Sequence, residues 1–251
     1  MIVFGFSPYD VGNDMYEEVG TYNFEVPINI TSVRVLLIGG GGRGGSGIHG
    51  GGGGGSGYVV VNDTYSVVPG SLIPVEVGYG NSSFGNIIAQ QGGTAKCPNG
   101  ISGYYIGGDG GSGGGAGNEA NVIGEWTGHG GMGGSDGGNK EGYSGGKGQG
   151  DYTHLINTFK QTSFQAGRGG APGKYTHVEV DRVFKKSIGG GGAGGILVNG
   201  TAQTKGPGGT QSGNYKASEG GEGFGAGGGG GGFQSNDGFD GANGLVYVEW
   251  D

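Results

Sequence analysis

Cysteine is almost missing from this chain: Cys97 is the only one in 251 residues, which excludes an internal disulfide and any multi-cysteine metal site. Proline is scarce too, at 7 residues, and no Gly-X-Y register is sustained, so a collagen triple helix is excluded. Positive charge is in deficit, with 13 Lys and Arg against 21 Asp and Glu and a net charge of −8. Phosphate neutralisation needs clustered basic residues, so nucleic acid is not an expected partner. Only Arg43 and Arg168 sit in a glycine setting, too few for an Arg-Gly-Gly RNA-binding tract. No apolar run approaches the ~20 residues of a membrane span, and no membrane insertion is expected. The opening Met-Ile-Val-Phe-Gly-Phe-Ser-Pro-Tyr-Asp has no basic region ahead of its short apolar stretch, so Met1 reads as a start that leads straight into a strand.

What fills the space is glycine, 74 residues of it. Composition of this kind points first to a disordered tract. The distribution argues for order, because apolar residues are gathered into short runs such as Val33–Ile38 and Leu245–Trp250, at opposite ends of the chain. Strands are predicted at 2–6, 21–26, 32–38, 58–61, 65–68, 71–77, 87–89, 175–184, 196–198 and 245–250. Polar turns are expected at Ser7–Asp14, at Asn62-Asp63 and at Pro69-Gly70. Tyr22, Phe24 and Val26 share one face of their strand, while Ser32–Ile38 is apolar nearly throughout, as in a strand covered on both faces. The one helical candidate is Tyr152–Phe164 with Asp151 as its cap. Many short strands with Gly, Pro and Asn turns predict an all-β sandwich or barrel, read as one domain over 1–251.

Glycine blocks lie between the strands at 39–57, 107–117, 128–150, 167–173, 189–195, 206–213 and 220–232. A domain seldom holds so many long floppy loops. Glycine can instead form a threefold extended helix of the polyproline II kind, whose outward N–H and C=O groups bond to neighbouring helices. Central helices of such a bundle demand uninterrupted glycine, as at Gly50–Gly55 and Gly227–Gly232. Outer helices can carry side chains, and Gly107–Gly117, with Asp109, Ser112 and Ala116, has that appearance.

Thr21–Gly42, an aromatic strand, a Val26-Pro27 turn and a Val/Ile strand entering polyglycine, resembles the opening of glycine-rich domains on phage tail-fibre and other virion proteins. Ser66–Gly78 looks like the next hairpin of that pattern, and Gly241–Trp250 like its closing strand. The same order is similar to the glycine-rich ectodomain module of the anaplastic lymphoma and leukocyte receptor tyrosine kinases. The resemblance implies a jelly-roll sandwich of tumour-necrosis-factor type with an inserted bundle of polyglycine II helices. It further implies a virion or extracellular setting, with virion or filament proteins, a host-surface receptor or a glycan as partners, and a homo-oligomer or larger assembly.

Motifs for chemistry are weak. Gly39–Gly44 after a strand fits Gly-x-Gly-x-x-Gly, but Gly-Ser-Gly-Ile-His-Gly follows, which is unable to open the helix a pyrophosphate needs. His49, His129, His154 and His177 have no ligand spacing, and Asn236–Gly241 reads as an Asx turn with an incomplete calcium series. The four sequons at Asn29, Asn62, Asn81 and Asn199 read as part of an Asn/Ser/Thr-rich surface. No nucleophile–base pair stands out, so a non-enzymatic protein without cofactor or metal is expected. The excursions from glycine carry the candidate contact residues: Trp126, His129, Met132, Tyr143, Tyr152, Leu155, Phe159 and Phe164. Aromatics on loops of a rigid scaffold suit recognition, and equally suit capping of the core.

Overall fold

A computed structural model describes residues 11–46, 51–96, 106–117, 134–139, 144–162, 164–166, 169–170, 187–188, 191, 196–198, 202–204, 223–228, 230 and 238–251. In chain order the strands are β1 (Gly12–Tyr16), β2 (Gly20–Glu25), β3 (Ser32–Ile38), β4 (Val59–Ser66), β5 (Leu72–Val77), β6 (Ser82–Phe84) and β7 (Ile87–Ala89). After a one-turn helix α1 (Thr153–Ile156) come β8 (Gln165–Ala166), β9 (Ser187–Ile188), β10 (Ile196–Val198), β11 (Ala202–Thr204) and β12 (Leu245–Trp250). Two four-stranded antiparallel sheets dominate, β1-β12-β3-β4 and β2-β5-β6-β7, and two small two-stranded pairs, β8-β9 and β10-β11, complete the set. The chain is thus nearly all β among the described residues.

Alternation explains how the large sheets meet. Val33, Val35 and Leu37 of β3 and Val246 and Val248 of β12 turn inward, against Phe24, Ile73, Val75, Val77 and Phe84 of the other sheet. The opposite face of β3 and β12, with Leu36, Ile38, Leu245 and Tyr247, is also buried, under Tyr152, Ile156, Phe159 and Phe164. Burial on both faces is the reason Ser32–Ile38 is apolar almost throughout. The second sheet is covered on one face only: in β5, Ile73, Val75 and Val77 are buried, while Leu72, Pro74 and Glu76 are exposed.

Four expectations are corrected. Residues from Gly12 onward form β1 rather than continuing a turn, because their backbone pairs with β12 from Gly12↔Trp250 to Tyr16↔Val246. Asn62-Asp63 does not end a strand; Val59–Ser66 runs through as β4, with an irregularity where Val33↔Tyr65 steps to Val35↔Asn62. The extra residue is a bulge, and Asn62 Oδ1 accepts the Thr64 N–H at 3.0 Å to hold it. The Tyr152–Phe164 helix shrinks to Thr153–Ile156, where Asp151 Oδ1 accepts the Thr153 N–H at 2.8 Å. The segment 107–117 is not an outer one: Ser112 and Ala116 are fully buried. Predicted strands 2–6 and 175–184 lie outside the described residues.

Beyond β3 the chain leaves the sheet and enters glycine, and here the hydrogen bonding changes its period. N–H groups of Gly39, Gly42 and Gly45 donate to the carbonyls of Tyr58, Gly55 and Gly52, while those of Gly41 and Gly44 donate to Ala242 and Phe239. Along the next segment, Gly53 and Ser56 donate to Gly115 and Ser112, Gly54 and Gly57 to Gly228 and Gly225, and Gly55 and Tyr58 to Gly93 and Gln90. Bonds to any one neighbour therefore recur every third residue, with N···O of 2.8–3.1 Å. A β ladder would return to the same neighbour every second residue. Glycine is required for this closeness: a Cβ on Gly54 would land on the Gly42 carbonyl, and one on Gly57 on that of Gly39.

Two serines sit inside this array and earn their place by bonding. Ser56 Oγ accepts the Ser112 N–H at 2.7 Å, and Ser112 Oγ accepts the Gly134 N–H at 3.2 Å. A hydroxyl is small, and here it satisfies a buried N–H that would otherwise be orphaned. Where segment 145–150 borders solvent, side chains supply acceptors: Asn139 for Gly145, Asp109 for Lys147 and Asp136 for Gly148. Gln149 ties the array to the sandwich edge, its amide accepting from Val59 N–H at 2.8 Å and donating to Val59 C=O at 2.9 Å.

Candidate functional site

The contact candidates divide into two groups. Trp126, His129, Met132 and Tyr143 lie outside the described residues. Tyr152, Leu155, Phe159 and Phe164 come together, with Ile156, on the outer face of β3 and β12. Phe159, Phe164 and Tyr247 form an edge-to-face triad with ring centroids 5.2–6.0 Å apart. Tyr152, Phe159 and Phe164 are buried and Leu155 is partly buried. Their faces are spent on the core, which is what an apolar sheet face requires of the segment above it. Phe159→Ala should therefore destabilise by ~3–5 kcal/mol, as large-to-small changes in cores do. Thermal melts check this, and an unchanged Tm would return Phe159 to the surface candidates.

A polar cluster pins the rim of this segment, and sequence reasoning missed it. Arg34 and Glu249 are cross-strand partners in the β3–β12 register and project from the same face as Leu36 and Tyr247. Glu249 is almost wholly buried. Its carboxylate accepts the N–H groups of Lys160 at 3.1 Å and Gln161 at 3.0 Å, and the Tyr247 hydroxyl donates to it at 3.2 Å. Arg34 lies 3.6 Å from Glu249 and 3.3 Å from Asp63, donates to the Thr158 carbonyl, and its guanidinium sits 5.6 Å from the Phe159 ring centroid. The signal available beforehand was a charge on an apolar strand face in each of two strands; only pairing shows that the two charges meet. The cluster fixes a loop in place and aligns no group for reaction.

Among the described residues no group of three His, Cys, Asp or Glu could hold a metal, and no helix is long and apolar enough to cross a membrane. The Gly39–Gly44 amides that a nucleotide would need are spent on neighbouring carbonyls, as at Gly40 to Gly80 and Gly42 to Gly55. Of the Asn236–Gly241 turn, Asp240 pairs with Arg43 at 3.3 Å; Asn236 and Asp237 lie outside the described residues.

Two buried phenols give the fold an alkaline limit. Burial pushes Tyr152 up to about 12; the Ser112 hydrogen bond offsets part of this and the Asp151 charge adds to it. Burial, with Asp14 beside it, likewise raises Tyr16 to about 12. The folded state favours the neutral phenol, so this stability is intact below pH ~10, where the unfolded chain begins to ionise, and is lost as pH rises towards 12. Circular dichroism should show unfolding in that window. Tyr152→Phe should flatten the dependence of stability on pH there, and an unaltered slope would contradict the assignment.

The class that fold and site define is a two-sheet all-β protein whose strands frame a hydrogen-bonded glycine array. The profile of the glycine-rich domain family matches residues 17–251, nearly the whole chain, and the protein belongs to that family. A search of curated proteins finds no match.

Proposed function

We propose that this protein is a rigid, non-enzymatic structural or adhesive element of an outer surface, of the kind carried on virions and tail fibres. The observation that carries the reading is the three-residue recurrence of backbone bonds through Gly39–Gly45 and Gly53–Tyr58. A chain that bonds to three neighbours in turn has threefold screw character, so these segments are taken as polyglycine II helices bundled beside the sandwich. Strand succession supports a jelly-roll reading: β1, β3, β4 and β12 belong to one sheet, β2, β5, β6 and β7 to the other, so the chain crosses between layers. Such a bundle is stiff and offers few side chains for chemistry, which suits display and attachment.

With Tyr152, Phe159 and Phe164 committed to the core, attachment to a receptor, glycan or neighbouring virion protein falls to Trp126, His129, Met132 and Tyr143. Trp126→Ala with Tyr143→Ala should weaken binding to the target surface by ~2 kcal/mol or more, about thirtyfold, while leaving Tm in place. Labelled protein titrated onto candidate cells or particles reads this. Undiminished binding would reduce the reading to a purely structural subunit.

A further inference from the structure

Of the seven large apolar side chains most exposed among the described residues, four gather at the end of the sandwich away from the glycine: Val11 at 56 %, Ile28 at 82 %, Val68 at 69 % and Leu72 at 63 %. Gly39 continues from one end of β3, whereas the pairs Ser32↔Ser66 and Gly12↔Trp250 mark the other, where these residues lie. The loops that carry them are built, not loose. Val26 N–H donates to Ser71 C=O at 2.9 Å, Gly70 N–H to Val26 C=O at 2.9 Å, and Val67 N–H to Thr31 C=O at 3.0 Å. Single exposed apolar residues need no explanation, but several on one ordered end mark a surface that something covers.

The chain itself supplies a matching occupant. Residue 11 emerges at this end, and the ten residues before it include Ile2, Val3, Phe4 and Phe6. In an extended segment Ile2, Phe4 and Phe6 share one face. From Phe6 to Gly12 the backbone reaches up to ~20 Å. The step from β1 across β12 to β3 is two strand spacings, ~10 Å. Both surfaces are apolar and within reach of each other.

We propose that Ile2–Phe6 of the same chain seats its Ile2, Phe4 and Phe6 face on the tip formed by Ile28, Val68 and Leu72. This inference stands apart from the attachment reading, since it concerns the opposite end from the glycine and no external partner.

Two measurements on the full chain test it. Phe4→Ser and Leu72→Ser should each lower Tm by about 3–6 °C, and the double variant should lose little more than the worse single, because both remove one contact. An unchanged Tm for Leu72→Ser, or losses that simply add, overturns the proposal. In a Cys97→Ser background, Phe4→Cys with Leu72→Cys should oxidise to a disulfide within one molecule, seen as monomer on a non-reducing gel. A disulfide joining two molecules assigns the tip to a second copy and overturns the proposal, and failure to form any disulfide overturns it too.

Discussion

Gly54→Ala should cost at least ~3 kcal/mol and lower Tm by about 6–12 °C, although it adds a single methyl group. The added carbon would lie on the Gly42 carbonyl, a backbone atom with no rotamer to move. Relief requires segment 39–45 to retreat from segment 53–58, which loosens the Gly42–Gly55 and Gly54–Gly228 bonds together. Each is worth about 1 kcal/mol net, and their buried groups cost more when left unpaired. Gly80→Ala is the control, since nothing lies within 4 Å of a Cβ there. Its Tm should hold or rise slightly, as when Ala replaces Gly at a compatible position. Equal melting of the two variants would refute the close-packed glycine array.

Glu249→Ala should be comparably damaging, at ~3–5 kcal/mol, because it leaves a charge and two backbone donors without their acceptor. The orphans are the Arg34 guanidinium and the N–H groups of Lys160 and Gln161. Arg34→Met combined with Glu249→Leu should recover the part owed to the unpaired guanidinium, but not the part owed to the amides. Trp250 adjoins the cluster, so its fluorescence should report the change. A Glu249→Ala protein that melts like the parent would show that segment 157–161 is held by its apolar contacts alone.

Much of the sandwich was legible because its core strands are written in side chains. Val33–Ile38 and Leu245–Trp250 are apolar on both faces, and Tyr22, Phe24 and Val26 alternate, so pattern and burial coincide. β1 was illegible because Gly-Asn-Asp-Met-Tyr has no such alternation; its strand character comes from the backbone partner that β12 offers. The Asn62-Asp63 signal was real chemistry with another outcome, since Asx bonding to Thr64 shapes a bulge as readily as a turn. The aromatics of 152–164 were visible as a group, but sequence could not say which way they face. The uncovered outer face of β3 and β12 decides that, and Arg34 with Glu249 locks it.

Glycine divides the two levels most sharply. By itself the sequence determined that these blocks are ordered-sandwich companions of low side-chain chemistry, framed by strands, acidic overall and nearly free of cysteine. Which glycines are central was decided only in three dimensions: Ser112 carries a side chain and lies inside, because Gly134 and Ser56 surround it with groups that need its bonds. A glycine carries no side chain to encode its neighbours. Its place is set by where its N–H and C=O find partners, and those partners lie in segments up to two hundred residues away, as Ala242 does for Gly41.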